Sequence, residues 1–203
     1  MKIFCIGRNY SAHIEELKNE RPDRPLIFMK PATALLREEK PFYIPEFSQN
    51  VHYECELVIR IGKHGKAIEP QFVDRYIDGY SLGIDFTARD VQDQLKSKGH
   101  PWEIAKAFDY SACIGTILPV TEPKDWSQVQ FQLLKNGDTV QEGDSAQMIF
   151  SVKEMIVYLS QFFTLQKGDL IFTGSPAGVA QVHPGDVLEG ILEGQKVLHC
   201  PIK

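Results

Sequence analysis

The chain has 203 residues, with 22 Lys+Arg against 27 Asp+Glu, a formal net charge of -5 and 43% hydrophobic residues. A chain of this size buries about 70% of its unfolded surface, so it supports a core of its own, and its apolar content excludes an intrinsically disordered chain. A pI near 5.7 leaves no cationic surplus for phosphates and sets nucleic acid aside as a partner. No apolar run approaches the ~20 residues needed to cross a bilayer, and the stretch Met1–Gly7 is too short to read as a secretory leader. Cys5, Cys55, Cys113 and Cys200 lie far apart with no C-x-x-C pair. The expectation is free buried thiols in a reducing, cytoplasmic setting, without a zinc knuckle or dithiol site.

Short alternating or β-branched runs bounded by turn residues predict strands over Lys2–Ile6, Leu26–Met29, Tyr53–Ile61 and Tyr80–Phe86. Thr87-x-x-Asp90 then reads as a capping box opening a helix over Ala88–Lys98, stopped by Gly99 with Pro101 beyond. A strand over Gln128–Lys135 follows, and Lys135-Asn-Gly-Asp138 reads as a hairpin turn. Ser151-x-x-Glu154 opens a second helix over Val152–Phe163, whose Met155, Ile156, Leu159, Phe162 and Phe163 form a stripe expected to face the core. Strands over Leu170–Thr173, Asp186–Leu192 and Lys196–Cys200 complete the chain, the last two joined through Glu193-Gly-Gln195. No repeat or linker divides these elements. They predict a single strand-rich α+β domain over residues 1–203, lacking the βαβ alternation and G-x-G-x-x-G of a dinucleotide fold.

The chemistry concentrates in His52–Gly62. Strand alternation sends Tyr53, Cys55, Leu57, Ile59 and Ile61 to one face and leaves Glu54 and Glu56 together on the other, about 7 Å apart. An isolated E-x-E is ordinarily a solvated polar face. Asp85 changes that weighting, because it ends an apolar strand just before the first helix and offers a third carboxylate. Downstream lie Gln92 on that helix and Lys106 between two alanines, and Thr173–Val179 is a glycine-rich turn able to aim backbone N–H groups at an anion. His100-Pro-Trp102 reads as a packed loop, and His52, His64, His183 and His199 lack metal-ligand spacing.

Taken together, Gly7-Arg-Asn-Tyr-x-x-His13, Met29-Lys-Pro31, Tyr53-Glu-x-Glu-Leu57, Gly83-Ile-Asp-x-Thr-Ala-Arg89, Ala105-Lys106 and Thr173-Gly-x-Pro-x-Gly-Val179 resemble the fumarylacetoacetate hydrolase family. The likeness runs from about Lys2 to Lys203 and is nearest the short acylpyruvate hydrolase and oxaloacetate decarboxylase branch. One departure is Ala32, where relatives often carry Ser. The resemblance implies a mixed β-sandwich roll with a few short helices, without the extra N-terminal domain of the larger fumarylacetoacetases and with a lid around residues 10–20. It implies a divalent cation, Mg²⁺ or Mn²⁺, held by Glu54, Glu56 and Asp85, since oxygen-only ligands suit a hard ion. It implies Lys106 as a cation offsetting the surplus carboxylate charge. His13 becomes a water-activating base oriented by Glu16, three residues on and on the same helical face. Arg89 and Gln92 would lie near the substrate, and Thr173 would bind its carboxylate. The expected reaction is metal-dependent hydrolysis of a carbon–carbon bond in an acylpyruvate, releasing pyruvate, by a homodimer. Oxaloacetate decarboxylation, keto–enol tautomerisation or isomerisation of 2-oxo dicarboxylates, and a non-catalytic metal-binding role are the alternatives.

Overall fold

Burial on both faces of one strand organises the fold. In the computed structural model, which describes residues 1–16, 20–37 and 40–203, the chain opens with β1 (Ile3–Gly7), α1 (Ser11–Glu16), β2 (Leu26–Lys30) and β3 (Leu35–Leu36). Then come β4 (Val51–Tyr53), β5 (Cys55–Ile61), β6 (Ile77–Asp85), β7 (Thr87–Ala88), α2 (Arg89–Ser97), α3 (Glu103–Lys106), β8 (Ala112–Ile114) and β9 (Leu118–Pro119). It closes with β10 (Gln130–Lys135), β11 (Asp138–Asp144), α4 (Val152–Phe162), β12 (Leu170–Phe172), β13 (Ala180–Gln181), β14 (Val187–Leu192) and β15 (Gln195–Pro201). The main sheet has the order β2-β1-β12-β5-β6-β8-β3, with β9 added beside β6. A second sheet, β11-β10-β14-β15, packs against it, and a small third sheet is built from β13, β4 and β7. The result is the strand-rich α+β roll with short helices that the sequence predicts.

Leu57, Ile59 and Ile61 of β5 point into the core shared with Leu133, Leu188, Leu198 and α4, while Val58 packs on the other face with Ile3, Cys5, Leu170 and Phe172. The pairing directions then fix where the site lies. Because β1 and β12 are parallel, and β5 runs antiparallel to β12 and β6 antiparallel to β5, four chain ends meet at one sheet edge. These are the exits of β1, β12 and β6 and the entry of β5. Arg8, the turn after Phe172, Asp85 and Glu54 therefore converge from four distant stretches of sequence.

Two expectations change. The predicted strand Tyr53–Ile61 is two strands, because Val51–Tyr53 pairs with β13 and β7 whereas Cys55–Ile61 belongs to the main sheet. Glu54 sits at the break, its carbonyl accepting from the Asp85 amide at 2.8 Å, while the neighbouring Cys55 amide donates to Gln141 Oε1 at 2.9 Å. The capping box at Thr87 is absent. Ala88 is the N-cap residue with no side-chain cap; Thr87 Oγ1 accepts from Lys106 and Asp90 accepts from Ser48 Oγ and the Gln49 amide. The Thr87 hydroxyl is taken by the buried lysine, and Asp90, although it also accepts from the Val91 amide, ties the helix start to the Ser48–Gln49 loop.

Other local signals hold. Ser151 and Glu154 form a reciprocal capping box on α4, which buries Met155, Ile156 and Leu159; Phe162, expected in that stripe, is 56% exposed in the last turn instead. Asn136 and Gly137, at φ 56° and 92°, form the tight turn of the β10–β11 hairpin. Glu193 and Gly194 do the same between β14 and β15. All four cysteines are free and buried, and no described helix is long and apolar enough to cross a membrane.

Candidate active site

At the shared sheet edge Glu54, Glu56 and Asp85 are 5%, 3% and 0% exposed, and one oxygen from each lies within 4.8 Å of the others. Buried carboxylates this close repel one another unless cations intervene. Three do. Lys106 Nζ, carried on the short α3, reaches Glu54 Oε2 and Asp85 Oδ2 at 2.7 Å each and donates to Thr87 Oγ1 at 2.6 Å. Arg89, in the first turn of α2, pairs with the second oxygen of Glu54 and donates to Gln92 Oε1 at 2.5 Å. Lys30, at the end of β2, lies 2.7 Å from Asp85 Oδ1 with its side chain fully buried. Its ammonium also donates to the Lys106 and Ser111 carbonyls and to Ser111 Oγ.

The charges divide the three acids. Burial works against an ionised Glu54, but Lys106, Arg89 and His13 hold its carboxyl well below the usual range. Burial likewise opposes a charged Lys106, yet Asp85 and Glu54 raise it above the ordinary lysine value. Glu56 goes the other way, pushed well above the normal carboxylate range by burial and by the charges of Asp85 and Glu54. Its backbone partner is the Gly174 amide, 2.7 Å from Oε2, and among the described residues no cation lies within ion-pair distance of it. Asp85 Oδ1, although beside Lys30, has no correctly directed hydrogen-bond donor. An all-oxygen cluster with one acid lacking a cation and one carboxylate oxygen lacking a donor fits a hard divalent ion.

The turn after β12 serves the site through its backbone. Gly174 holds φ 101°, and a Cβ there would stand 2.6 Å from Asn9 Cβ, so glycine is needed for the chain to pass. The expected anion at this turn turns out to be protein: Gly174 N–H meets Glu56, and Gly178 N–H meets Glu16 Oε1 at 3.1 Å. Asn9 ties the turn to β1, with Nδ2 2.8 Å from the Thr173 carbonyl. Thr173 itself is fully buried and donates Oγ1 to the Leu57 carbonyl at 2.9 Å; Ser175 is the residue that lines the cleft from this turn.

Over the cluster lies α1. His13 is buried, with Nδ1 3.3 Å from Glu16 Oε2, while Glu15 faces solvent. Glu16 thus links the imidazole to the Gly178 amide and docks α1 against the β12 turn. Residues 17–19 of the expected lid segment lie outside the described residues. The structure brings His13, Glu54, Glu56, Asp85, Arg89, Gln92 and Lys106 onto one cleft. It adds residues that the sequence reading did not single out for the site: Lys30 at the cluster, and Arg8, Phe28, Lys96 and Trp102 on the cleft wall.

Comparison with known proteins gives the family and the fold. Residues 2–203 match the family model described as fumarylacetoacetate (FAA) hydrolase C-terminal. The chain belongs to the fumarylacetoacetate hydrolase family. It is 39% identical over 192 residues to the mitochondrial oxaloacetate tautomerase FAHD1 of Bos taurus, covering 95% of this chain and 87% of the relative. It is 41% identical to the mitochondrial oxaloacetate decarboxylase of Dictyostelium discoideum, covering 93% of this chain and 87% of that one. Among solved structures, fumarylpyruvate hydrolase from Pseudomonas aeruginosa, in complex with Mn²⁺ and pyruvate, superposes with a TM-score of 0.94 at 38% identity, covering 100% of this chain and 89% of that one. Similar folds thus carry hydrolase, decarboxylase and tautomerase names, all of them concerned with 2-oxo acids.

Proposed function

We propose that this chain is a divalent-metal-dependent enzyme that hydrolyses a carbon–carbon bond in acylpyruvates, releasing pyruvate. The observation that carries the reading is the pairing of a buried Glu54–Glu56–Asp85 cluster with a lid imidazole held by its own carboxylate. A cation bound there supplies Lewis-acid polarisation of the 2-oxo group and charge to stabilise an enolate. Mg²⁺ and Mn²⁺ both suit the donor set; the Mn²⁺ of the Pseudomonas neighbour supports the same choice.

The chain's own groups supply the rest. With Nδ1 turned to Glu16, His13 keeps Nε2 for proton transfer. That nitrogen takes a proton from water as the water oxygen bonds to the distal acyl carbonyl carbon. Cleavage of the adjacent carbon–carbon bond leaves a carboxylic acid and the pyruvate enolate, and proton return to the enolate carbon completes the balance. Lys106 and Arg89 offset the negative charge that grows during cleavage. Gln92, held by Arg89, presents its amide to the cleft.

The names of the curated relatives favour a second reading, keto–enol tautomerisation or decarboxylation of oxaloacetate. That chemistry uses the same enolate and a proton shuttle at His13 without attack by water. Assaying Mn²⁺-loaded protein side by side with acetylpyruvate, fumarylpyruvate and oxaloacetate separates the two. Pyruvate release from the acylpyruvates, lost in His13→Ala, is the expected result. Turnover of oxaloacetate alone would replace hydrolysis by the second reading. Retained turnover after chelation would remove the metal from both. Four reduced, buried thiols support residence in a reducing compartment such as the cytoplasm.

A further inference from the structure

Three cations of the cleft are committed to the carboxylate cluster. A fourth is not. Lys96 is half-buried on the cleft wall, and among the described residues its ammonium has no hydrogen bond and no carboxylate within ion-pair distance. What it touches is an aromatic face: Nζ lies 5.5 Å from the centroid of the Trp102 ring, which is itself braced edge-on by Phe28 at 6.0 Å. Arg8 lines the same cleft from the exit of β1, where φ of 59° turns its backbone left-handed, and its one described partner is the Glu20 carbonyl at 3.4 Å.

Helix phase places Lys96 usefully. Arg89, Gln92 and Lys96 are spaced i, i+3 and i+7 and so share one face of α2. Arg89 grips Glu54 at the cluster, and Lys96 stands about 10 Å further along the helix axis. A 2-oxo acid seated with its oxo-carboxylate end at the cluster would extend along this face toward Lys96. A partly desolvated ammonium without a carboxylate of its own is an unbalanced charge. Asp93, three residues back on the same helix, offsets this only in part from beyond ion-pair distance: burial first, then Arg89, lowers the Lys96 pKa to about 8, with Lys106 and Arg8 acting in the same direction. A ligand carboxylate at this point would relieve that imbalance.

Building on the 2-oxo acid reading above, we propose that Lys96, backed by Trp102 and flanked by Arg8, binds the second carboxylate of a 2-oxo dicarboxylic substrate and so selects dicarboxylates over neutral acylpyruvate tails. The role is in specificity: Lys96 touches the far end of the substrate, away from the bond that breaks.

The test compares wild type, Lys96→Met and Lys96→Arg in Mn²⁺. The first readout is the ratio of kcat/KM for fumarylpyruvate to that for acetylpyruvate, two acylpyruvates whose tails are a vinyl carboxylate and a methyl group. The second is the ratio of calorimetric dissociation constants for 2-oxoadipate, whose second carboxylate lies at the end of a longer chain, and 2-oxohexanoate, its singly charged counterpart, which needs no turnover. Lys96→Met is expected to lower the preference for the doubly anionic ligand by about tenfold in both ratios, through KM and not kcat, while Lys96→Arg keeps most of it. A fall of less than about threefold in Lys96→Met overturns the proposal. If wild type turns over neither acylpyruvate, the hydrolase reading fails by itself and the calorimetric ratio alone judges Lys96. A melting temperature matching wild type shows that the variant is folded; if Lys96→Met does not fold, the same thresholds are applied to Lys96→Gln.

Discussion

The inner and outer walls of the cleft are built on opposite plans. On the inner wall Glu54, Glu56, Asp85, Lys30 and Lys106 come from strand ends and a short helix packed on them, all nearly or fully buried. Lys30 holds Asp85 and the backbone of Phe86, Lys106 and Ser111, and Lys106 holds Glu54, Asp85 and Thr87. On the outer wall His13, Glu16, Arg8 and Lys96 come from a six-residue helix, a loop and a helix flank, with few polar partners each. The difference teaches a division of labour. A rigid, desolvated inner wall suits a cation and an enolate, whose charges are the same for every 2-oxo acid. A sparsely bonded outer wall suits proton transfer and discrimination among substrate tails, which vary.

Substitutions that break this division should differ in kind as well as size. Glu56→Ala or Asp85→Ala is expected to lower turnover by roughly a thousandfold or more, the scale of losing the main electrostatic stabilisation, together with loss of Mn²⁺ binding; full activity in chelated buffer would contradict the site. His13→Ala should lower hydrolysis by about 10²–10⁴-fold while leaving Mn²⁺ affinity near wild type, read by steady-state assay beside calorimetry. A parallel loss of metal affinity would erase the distinction between the walls. Glu16→Gln should cost less, about 10–100-fold, because the Gly178 amide can still hold the side-chain oxygen.

Lys30→Met sharpens the comparison from the inner side. It removes the cation beside Asp85 Oδ1 in a dry site, leaving Lys106 to serve both Asp85 and Glu54, and leaves Ser111 without its cation. Breaking a buried pair of this kind costs about 3–5 kcal/mol, so the apoprotein should melt roughly 10 °C lower. An unchanged melting temperature would show the ion pair to be dispensable. The mildest prediction is a pH profile on the outer wall. Lys96 faces Arg89 and Asp93 of its own helix, Lys106 of α3 and Arg8 after β1, and its ordinary lysine value is lowered to about 8 by burial and then by Arg89. It is charged below that pH and neutral above it. The preference for fumarylpyruvate over acetylpyruvate in kcat/KM, which reports the free enzyme, should therefore weaken as pH rises through about 8, and Lys96→Met should flatten the trend.

The same contrast governs what was legible in the sequence. Glu54 and Glu56 stand out because two-residue periodicity puts two acids on one face of an otherwise apolar strand, and Asp85 because it ends another. Their convergence depends on β5–β6 pairing in a register that places Glu56 opposite Gly83, which is a tertiary fact. Lys30 lies within Met29-Lys-Pro31, yet nothing local distinguishes a strand-end lysine that is solvated from one that is fully buried. Its burial follows from the chain folding Phe86, Lys106 and Ser111 around it. Lys96 was within reach: extending the Arg89–Gln92 spacing by one turn lands on it. Its partner Trp102 sits in the loop after α2 with no signal in the sequence, because aromatic walls announce themselves only when a cation or ligand lies against them. The Thr87 capping box misled for a related reason, since local helix signals yield when a buried lysine competes for the same hydroxyl.

The central claim is that the three-carboxylate inner wall is the cation site and that the outer wall is separate from it. Calorimetric titration of Mn²⁺ into the purified wild-type protein, Glu56→Ala and Lys96→Met tests this most directly. The account predicts one bound ion per chain in wild type and in Lys96→Met and none in Glu56→Ala at the same concentrations. Equal Mn²⁺ binding by Glu56→Ala and wild type would contradict it.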